Sequence, residues 1–350
     1  MGRAVDLLAK AGLLNYHAGR KGASASTFSA TEKLCGVATT CGINGHSLTV
    51  RLPPDRVVRL REGDAKTTLM NYKPSDETAR WTDDLRSFAA FLAKQDISLT
   101  LTPDEEKEWV RHWNENRKKR WNDDRDGNKI RLTRPELFQT ELYRQFNRGS
   151  FEQGGRMYGG FWINAPKVLR HKLKINGKPT VELDFSGCAI RMLYHLRYID
   201  YKDDPYRLDA IAAYEIRKGL PTDYFREGIK AITQALINDQ KGKKPERIQF
   251  KKRGPSFRPQ FSRLDVRKMI ENKHAAIADT FGTGAGLFLQ RHESDLALEI
   301  ITELMNQGIV ALPVHDAFLV DMDHKFQTGV VMTKLYRRKF GFSPKLKVSL

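Results

Sequence analysis

The chain has 350 residues, 40% of them hydrophobic, with 60 Lys plus Arg against 42 Asp plus Glu and a formal net charge of +18 at pH 7. The length leaves room for one large core or two to three subdomains, and no apolar run reaches the roughly eighteen residues of a membrane-spanning helix. So large a basic surplus points to a polyanionic partner, nucleic acid first and an anionic membrane surface as the rival.

The opening segment "MGRAVDLLAKAGLL" is too short and too charged for a signal-peptide core and reads as an ordinary helix. Cys35, Cys41 and Cys188 are too few for a disulfide framework, so a reducing cytoplasm is expected. Cys35, Cys41 and His46 fit no zinc spacing. Gly19 to Thr31 reads as a polar loop. From Ser75, Trp81, Leu85, Phe88 and Leu92 recur at helical spacing, and "DISLTL" then alternates like a strand. Thr102 followed by Pro103 and acids starts a further helix, and Pro135 opens another over "PELFQTELYRQF".

After Ser150 the character changes. "FEQGGRMYGGFW" offers close backbone approach and aromatic surface, "PTVELDFSG" is β-rich and "CAIRMLYHLRYI" helical. In "DYFREGIKAITQALINDQ", Phe225, Ile229, Ile232 and Leu236 form one face of a helix, and Arg226, Lys230 and Gln234 the other. A basic tract, Lys241 to Arg263, interleaves Phe250, Phe257 and Phe261 with charge. Helices are expected over Arg263–Phe281 and Gln290–Gln307. "IVALPVHDAFLVDM" then reads as a hairpin with His315 and Asp316 in its turn, and a helix end and last strand follow.

Asp184 and Asp316 both sit in apolar sequence, where an isolated carboxylate is costly. Side by side, they suit two Mg²⁺ or Mn²⁺ ions spaced about 3.5 to 4 Å for an in-line phosphoryl or nucleotidyl displacement. Either one alone reads first as a turn or capping residue.

"LDFSGCAIR" resembles motif A of the family A DNA polymerases through Asp184, Phe185, Ser186 and Arg191, and "VHDAFLV" resembles motif C through His315 and Asp316. "REGIKAITQALIND" is similar to the motif B helix, with Arg226 and Lys230 in register. "QRHESDLALEI" keeps the family's Gln290 and Asp295, and "GGRMYGG" offers Arg156. The five elements occur in the family's order.

The resemblance implies an α+β right-hand polymerase with an antiparallel-sheet palm and helical fingers, plus a mainly helical N-terminal region. The palm would comprise 151–194 and 290–350, and the fingers 195–289 with the basic tract 241–263. Residues 1–150 would form a reduced thumb or a template- or partner-binding region. It implies Asp184 and Asp316 as metal-binding catalytic residues. Phe185, Ser186, Ala189, Arg226, Lys230, Gln234 and Asn238 would surround the nucleotide, and Arg156, Arg191, Gln290 and His315 the primer and template. The basic tract, with Lys251, Lys252 and Arg253, would form a single-strand channel.

The chain departs from the family at Ala189, where the DNA polymerases carry a Glu that crowds the sugar. A methyl group supplies no such repulsion, so ribonucleotides are expected to enter. Gln234 and Asn238 stand where aromatics are usual, and Ala317 replaces an acid after Asp316. The expected function is that of a primase or primase-polymerase making primers on single-stranded DNA from NTPs or dNTPs. The alternatives are a primer-dependent gap-filling or translesion polymerase and a non-catalytic replication accessory protein. A replicative helicase or initiator is a candidate partner, no membrane is expected, and the setting would be the cytoplasm of a bacterium or of a host to a virus or mobile element.

Overall fold

The computed structural model describes residues 7–17, 27–40, 57–63, 68–111, 140–240 and 254–349. It divides into two compact units, Met1–Arg51 with Glu136–Gln139 and Leu52–Pro135 with Thr140–Leu350. In the first, strands β1 (Leu14–His17) and β2 (Thr27–Ala30) pair antiparallel and helix α1 (Glu32–Thr40) follows. Part of the expected polar loop is therefore strand. Cys35 lies exposed on α1. Cys41 and His46 lie outside the described residues.

The second unit is α+β. Helix α2 (Asp76–Leu92) starts where the sequence predicts, because Ser75 accepts from the Thr78 amide and Thr78 answers with its hydroxyl. Its buried stripe is Trp81, Leu85, Phe88 and Leu92. Residues 103–111 are helical behind the same reciprocal cap, here between Thr102 and Glu105.

One four-stranded sheet has the order β4-β3-β6-β7, with β3 Val58–Arg61, β4 Leu69–Met70, β6 Tyr143–Asn147 and β7 Ser150–Tyr158. Strand β6 corrects the helix expected over "PELFQTELYRQF", whose first five residues lie outside the described ones. Arg144 and Phe146, two apart, share a strand face and both are fully buried on Trp81. The Phe146 ring stacks on the indole with centroids 4.9 Å apart, and the Arg144 guanidinium stands 4.5 Å from it. That long-range partner outweighs the local helical pattern.

A six-stranded sheet runs β10-β11-β9-β8-β5, with β5 Ile97–Leu99, β8 Leu173–Ile175, β9 Lys178–Phe185, β10 Ala311–Val314 and β11 Ala317–Asp321. Strand β12 (Leu346–Ser349) pairs with the end of β9. All the pairings in this sheet are antiparallel. Two four-residue helices, α3 (Phe161–Asn164) and α4 (Lys167–Arg170), link the sheets. Then come α5 (Cys188–His195), α6 (Asp209–Arg217), α7 (Arg226–Asn238), α8 (Arg263–Lys273), α9 (Ala285–Asn306) and α10 (Lys325–Phe340).

The helix expected to run to Phe281 breaks at His274, whose ring nitrogens meet the Tyr194 hydroxyl and the Pro205 carbonyl. Helix α9 starts earlier than expected, at Ala285. It lies on β7 so closely that a Cβ on Gly155 (φ +82°) would come within 2.9 Å of Ser294 Oγ and 2.8 Å of Arg144 Nη2. Among the described residues no helix is long and apolar enough to cross a membrane.

Arg144 joins β6, β7 and α9, donating to the Gly155 carbonyl, Ser294 Oγ and Asp295 Oδ1 at 2.8 to 2.9 Å. Arg144→Ala leaves Asp295 without that partner and is expected to cost about 3–5 kcal/mol in urea unfolding. A loss under about 1 kcal/mol would contradict this role.

Candidate active site

Strand β9 alternates, with Val181, Leu183 and Phe185 buried and Glu182 and Asp184 half-buried on the opposite face. Its register with β11 sets Asp184 opposite Ala317, the residue after Asp316, and the Phe185 amide donates to the Asp316 carbonyl at 3.3 Å. The two carboxylates thus meet at the end of one strand pair. Burial, then the charge of Asp316, then that of Glu182 push the Asp184 carboxyl up to about 7. Asp316 is also raised, by burial, against the pull of Arg156 and Lys230.

Asp316 lies in the two-residue turn between β10 and β11. The first turn residue, His315, has φ +60°, a left-handed conformation costing a non-glycine residue of order 1 to 3 kcal/mol unless its surroundings hold it. Its ring stands edge-on to Tyr158, and burial with Arg156 and Arg170 lowers its pKa to about 4, so it is neutral at pH 7.

Four cations face these acids. Lys230, exposed on α7, acts on both aspartates, while Ile229, Ile232, Leu236 and Ile237 bury the helix's other side. Arg156 on β7 grips Glu293 of α9 with two 2.8 Å bonds and also feels Asp316. Arg170 and Lys167 bridge Glu182 at 3.4 and 3.8 Å. Burial, partly offset by Arg156, raises Glu293 to about 7.

Several residues expected to touch nucleotide or nucleic acid have other partners. Phe185 is in the core with its ring centroid 5.3 Å from that of Tyr336 on α10. Arg191 is buried and donates to the carbonyls of Ser186, Tyr201 and Asp203, which commits its guanidinium to the backbone. Arg226 pairs with Asp204 at 2.5 Å.

Gln234 and Asn238 line the α7 face with Lys230, and Asn238 donates to the Gln234 carbonyl. Ser186 and Ala189 are half-buried beside the turn into α5, and Gln290 is half-buried on α9, one turn before Glu293. Lys251, Lys252 and Arg253 lie outside the described residues. Phe257 and Phe261, both half-buried, each have a ring partner within the protein. Phe257 stacks on Phe225 at 5.2 Å and Phe261 stands edge-on to Tyr214.

Glu293 and Glu182 escaped the sequence reading. The usable signal was Glu293's position three residues after Gln290, which sets both on one helical face. Among the described residues no three metal-ligating side chains converge. The acids that this site could offer a cation are two, Asp184 and Asp316. Two carboxylates raised by burial and by nearby negative charge fit a hard divalent ion that takes its remaining ligands from water and substrate phosphates.

No protein-family model matches the chain, and no curated protein does. Among solved structures it is similar to the POL domain of Pol1 from M. smegmatis in complex with DNA primer-template and dNTP. The TM-score is 0.36 and the identity 11%, over 61% of this chain and 47% of that one. This chain therefore spans less than half of that structure, and the likeness is too slight to establish a common fold.

A carboxyl whose folded pKa is about 7 against an ordinary 3.8 adds stability fully present below about pH 4 and lost as pH rises through 7. In the absence of divalent ions, Asp184→Asn is therefore expected to raise the melting temperature more at about pH 8 than at about pH 6, by a few degrees. Adding Mg²⁺ should stabilise the wild type and not the variant. An equal effect at both pH values would show that Asp184 is not held above its ordinary range.

Proposed function

We propose that the chain is a nucleotidyltransferase that makes primers on single-stranded DNA. The observation that carries the reading is the meeting of Asp184 and Asp316 at the end of β9 and β11, with Lys230 of α7 acting on both. Asp184 and Asp316 would hold two Mg²⁺ or Mn²⁺ ions, whose chemistry is to stabilise the attacking and leaving oxygens of an in-line displacement.

Lys230 binds the triphosphate and offsets the negative charge that grows on the leaving pyrophosphate. Arg226 supplies a second positive charge on the same helix, oriented by Asp204. Arg156, fixed by Glu293, and the neutral His315 ring face the primer end, with Gln290 one turn along α9. Ser186 and Ala189 border the sugar. In this reading 151–194 and 290–350 are the palm, 195–289 the fingers, and 1–150 a reduced thumb or a template- or partner-binding region. The small side chain of Ala189 favours a primase over an enzyme confined to dNTPs.

The test is synthesis on an unprimed single-stranded template with NTPs and Mg²⁺ or Mn²⁺. Wild type is expected to make oligonucleotides, and Asp184→Asn or Asp316→Asn to lower the rate at least about a thousandfold, or about 4 kcal/mol. Extension of primed templates alone would leave a primer-dependent polymerase. Undiminished biological activity of both aspartate variants would leave a binding protein.

Lys230→Ala is expected to lower kcat/KM for nucleotide by about ten- to a hundredfold, the value of one charge-assisted hydrogen bond. Steady-state kinetics on a primed template read this directly, and an unchanged kcat/KM would remove Lys230 from the site.

A further inference from the structure

The four-stranded sheet buries one face and leaves the other half-open. Arg144 and Phe146 lie on the buried face against Trp81. Register brings the alternate residues together on the other: Arg59 of β3 beside Gln145 of β6 and Arg156 of β7, Tyr143 beside Tyr158, and Arg61 beside Leu69 of β4. Arg59, Arg61, Tyr143, Arg156 and Tyr158 are half-buried, and Leu69 is 39% exposed. A solvated sheet face ordinarily sets opposite charges across from each other. Here the residues in register with Arg59 and Arg61 are Gln145 and Leu69, and no cross-strand pair on this face contains an acid.

These side chains also stack into a column that ends at the candidate site. The Arg59 guanidinium lies 3.5 Å from the centroid of the Tyr143 ring, Tyr143 stacks on Tyr158 at 5.8 Å, and Tyr158 stands edge-on to His315 at 6.2 Å. Asp316 is the next residue. The column crosses three strands, about 10 Å at ordinary strand spacing. Stacking occupies the flat face of a guanidinium, whose N–H donors lie in its plane, so the Tyr143 ring sets the plane in which Arg59 donates. Arginine and tyrosine both donate to the phosphates of a nucleic-acid backbone.

We propose that this sheet face is the track along which single-stranded DNA reaches the site: Arg59 and Arg61 bind its backbone phosphates, and the Tyr143–Tyr158 column leads it to His315. The strand's destination rests on the nucleotidyl-transfer reading of that site, whereas its binding needs no catalysis. Contacts to phosphates carry no sequence information and weaken with salt. An acidic peptide would meet the same arginines, but the chain's net charge of +18 and the carboxylate pair at the end of the column favour a nucleic acid.

The test is fluorescence anisotropy of a labelled single-stranded DNA oligonucleotide with the full chain, without nucleotide or divalent ion, over a range of NaCl. Arg59→Gln and Arg61→Gln are each expected to weaken binding about three- to tenfold and to make the slope of log K against log salt shallower by about 0.7. Leu69→Glu should also weaken binding and Leu69→Lys tighten it. That exposed position decides the matter if the arginine variants fail to fold. Lys334→Gln removes an exposed charge from α10, which packs on the Leu183 side of β9 away from Asp184, and should change affinity by less than about twofold. Losses no larger than that, or a poly-glutamate peptide bound as tightly as the oligonucleotide, overturn the proposal. Unprimed synthesis with Mg²⁺, run in parallel, separates the two readings. Binding that depends on this face without synthesis upholds the track and overturns catalysis, and synthesis with binding indifferent to the face overturns the track alone.

Discussion

Two carboxylates close together and half out of water repel each other and lose hydration, and the second unit is organised around that cost. Asp184 is held by the register of the central strand of its sheet and Asp316 by a turn that forces His315 to a positive φ. Neither can withdraw without unpairing a strand. The surrounding positive charges do not neutralise the pair outright: Arg156 is shared with Glu293 and Arg170 with Glu182, while Lys230 stands exposed on a helix of its own. The acids therefore remain under-compensated, and both carboxyls are held above their ordinary range.

The second organising device is the use of arginine as a buried tie. Arg144 joins β6 to α9, Arg291 of α9 reaches Glu77 of α2 and the Phe151 carbonyl, and Arg191 gathers the backbone around the turn after β9. Each guanidinium satisfies several acceptors in a fixed plane, which a lysine cannot do. Part of the basic surplus read from composition thus serves the interior rather than a polyanion. Those buried arginines are not available to a polyanion; the exposed basic residues are.

What was legible in the sequence is what local chemistry decides. The capped start of α2, the amphipathic α7 and the hairpin carrying His315 and Asp316 follow from spacing, capping and two apolar strands around a polar pair. Strand β6 was not legible, because Arg144 and Phe146 become strand residues through Trp81, which is distant in the chain. Motif matching likewise identified Arg191, Arg226 and Phe185 by position but not their partners. Whether an arginine faces a ligand or a row of carbonyls depends on the loop opposite, and the 201–206 loop matches no motif. Glu293 was missed because a carboxylate in a helix looks solvated until the helix is seen lying on β7.

The topology of the central sheet also sets an order of events. Strand β9 finishes translation long before β11 and β12, the strands that flank its Asp184 end. Until they emerge, that end of β9 is an open edge, and pairing it across so many residues is slow. Such edges seed misassembly, and an inward-facing charge is one device that discourages it. In the nascent chain Asp184, not yet crowded by Asp316, is a well-hydrated anion on that edge. The residue that strains the finished site thus guards the strand while the site is still unmade.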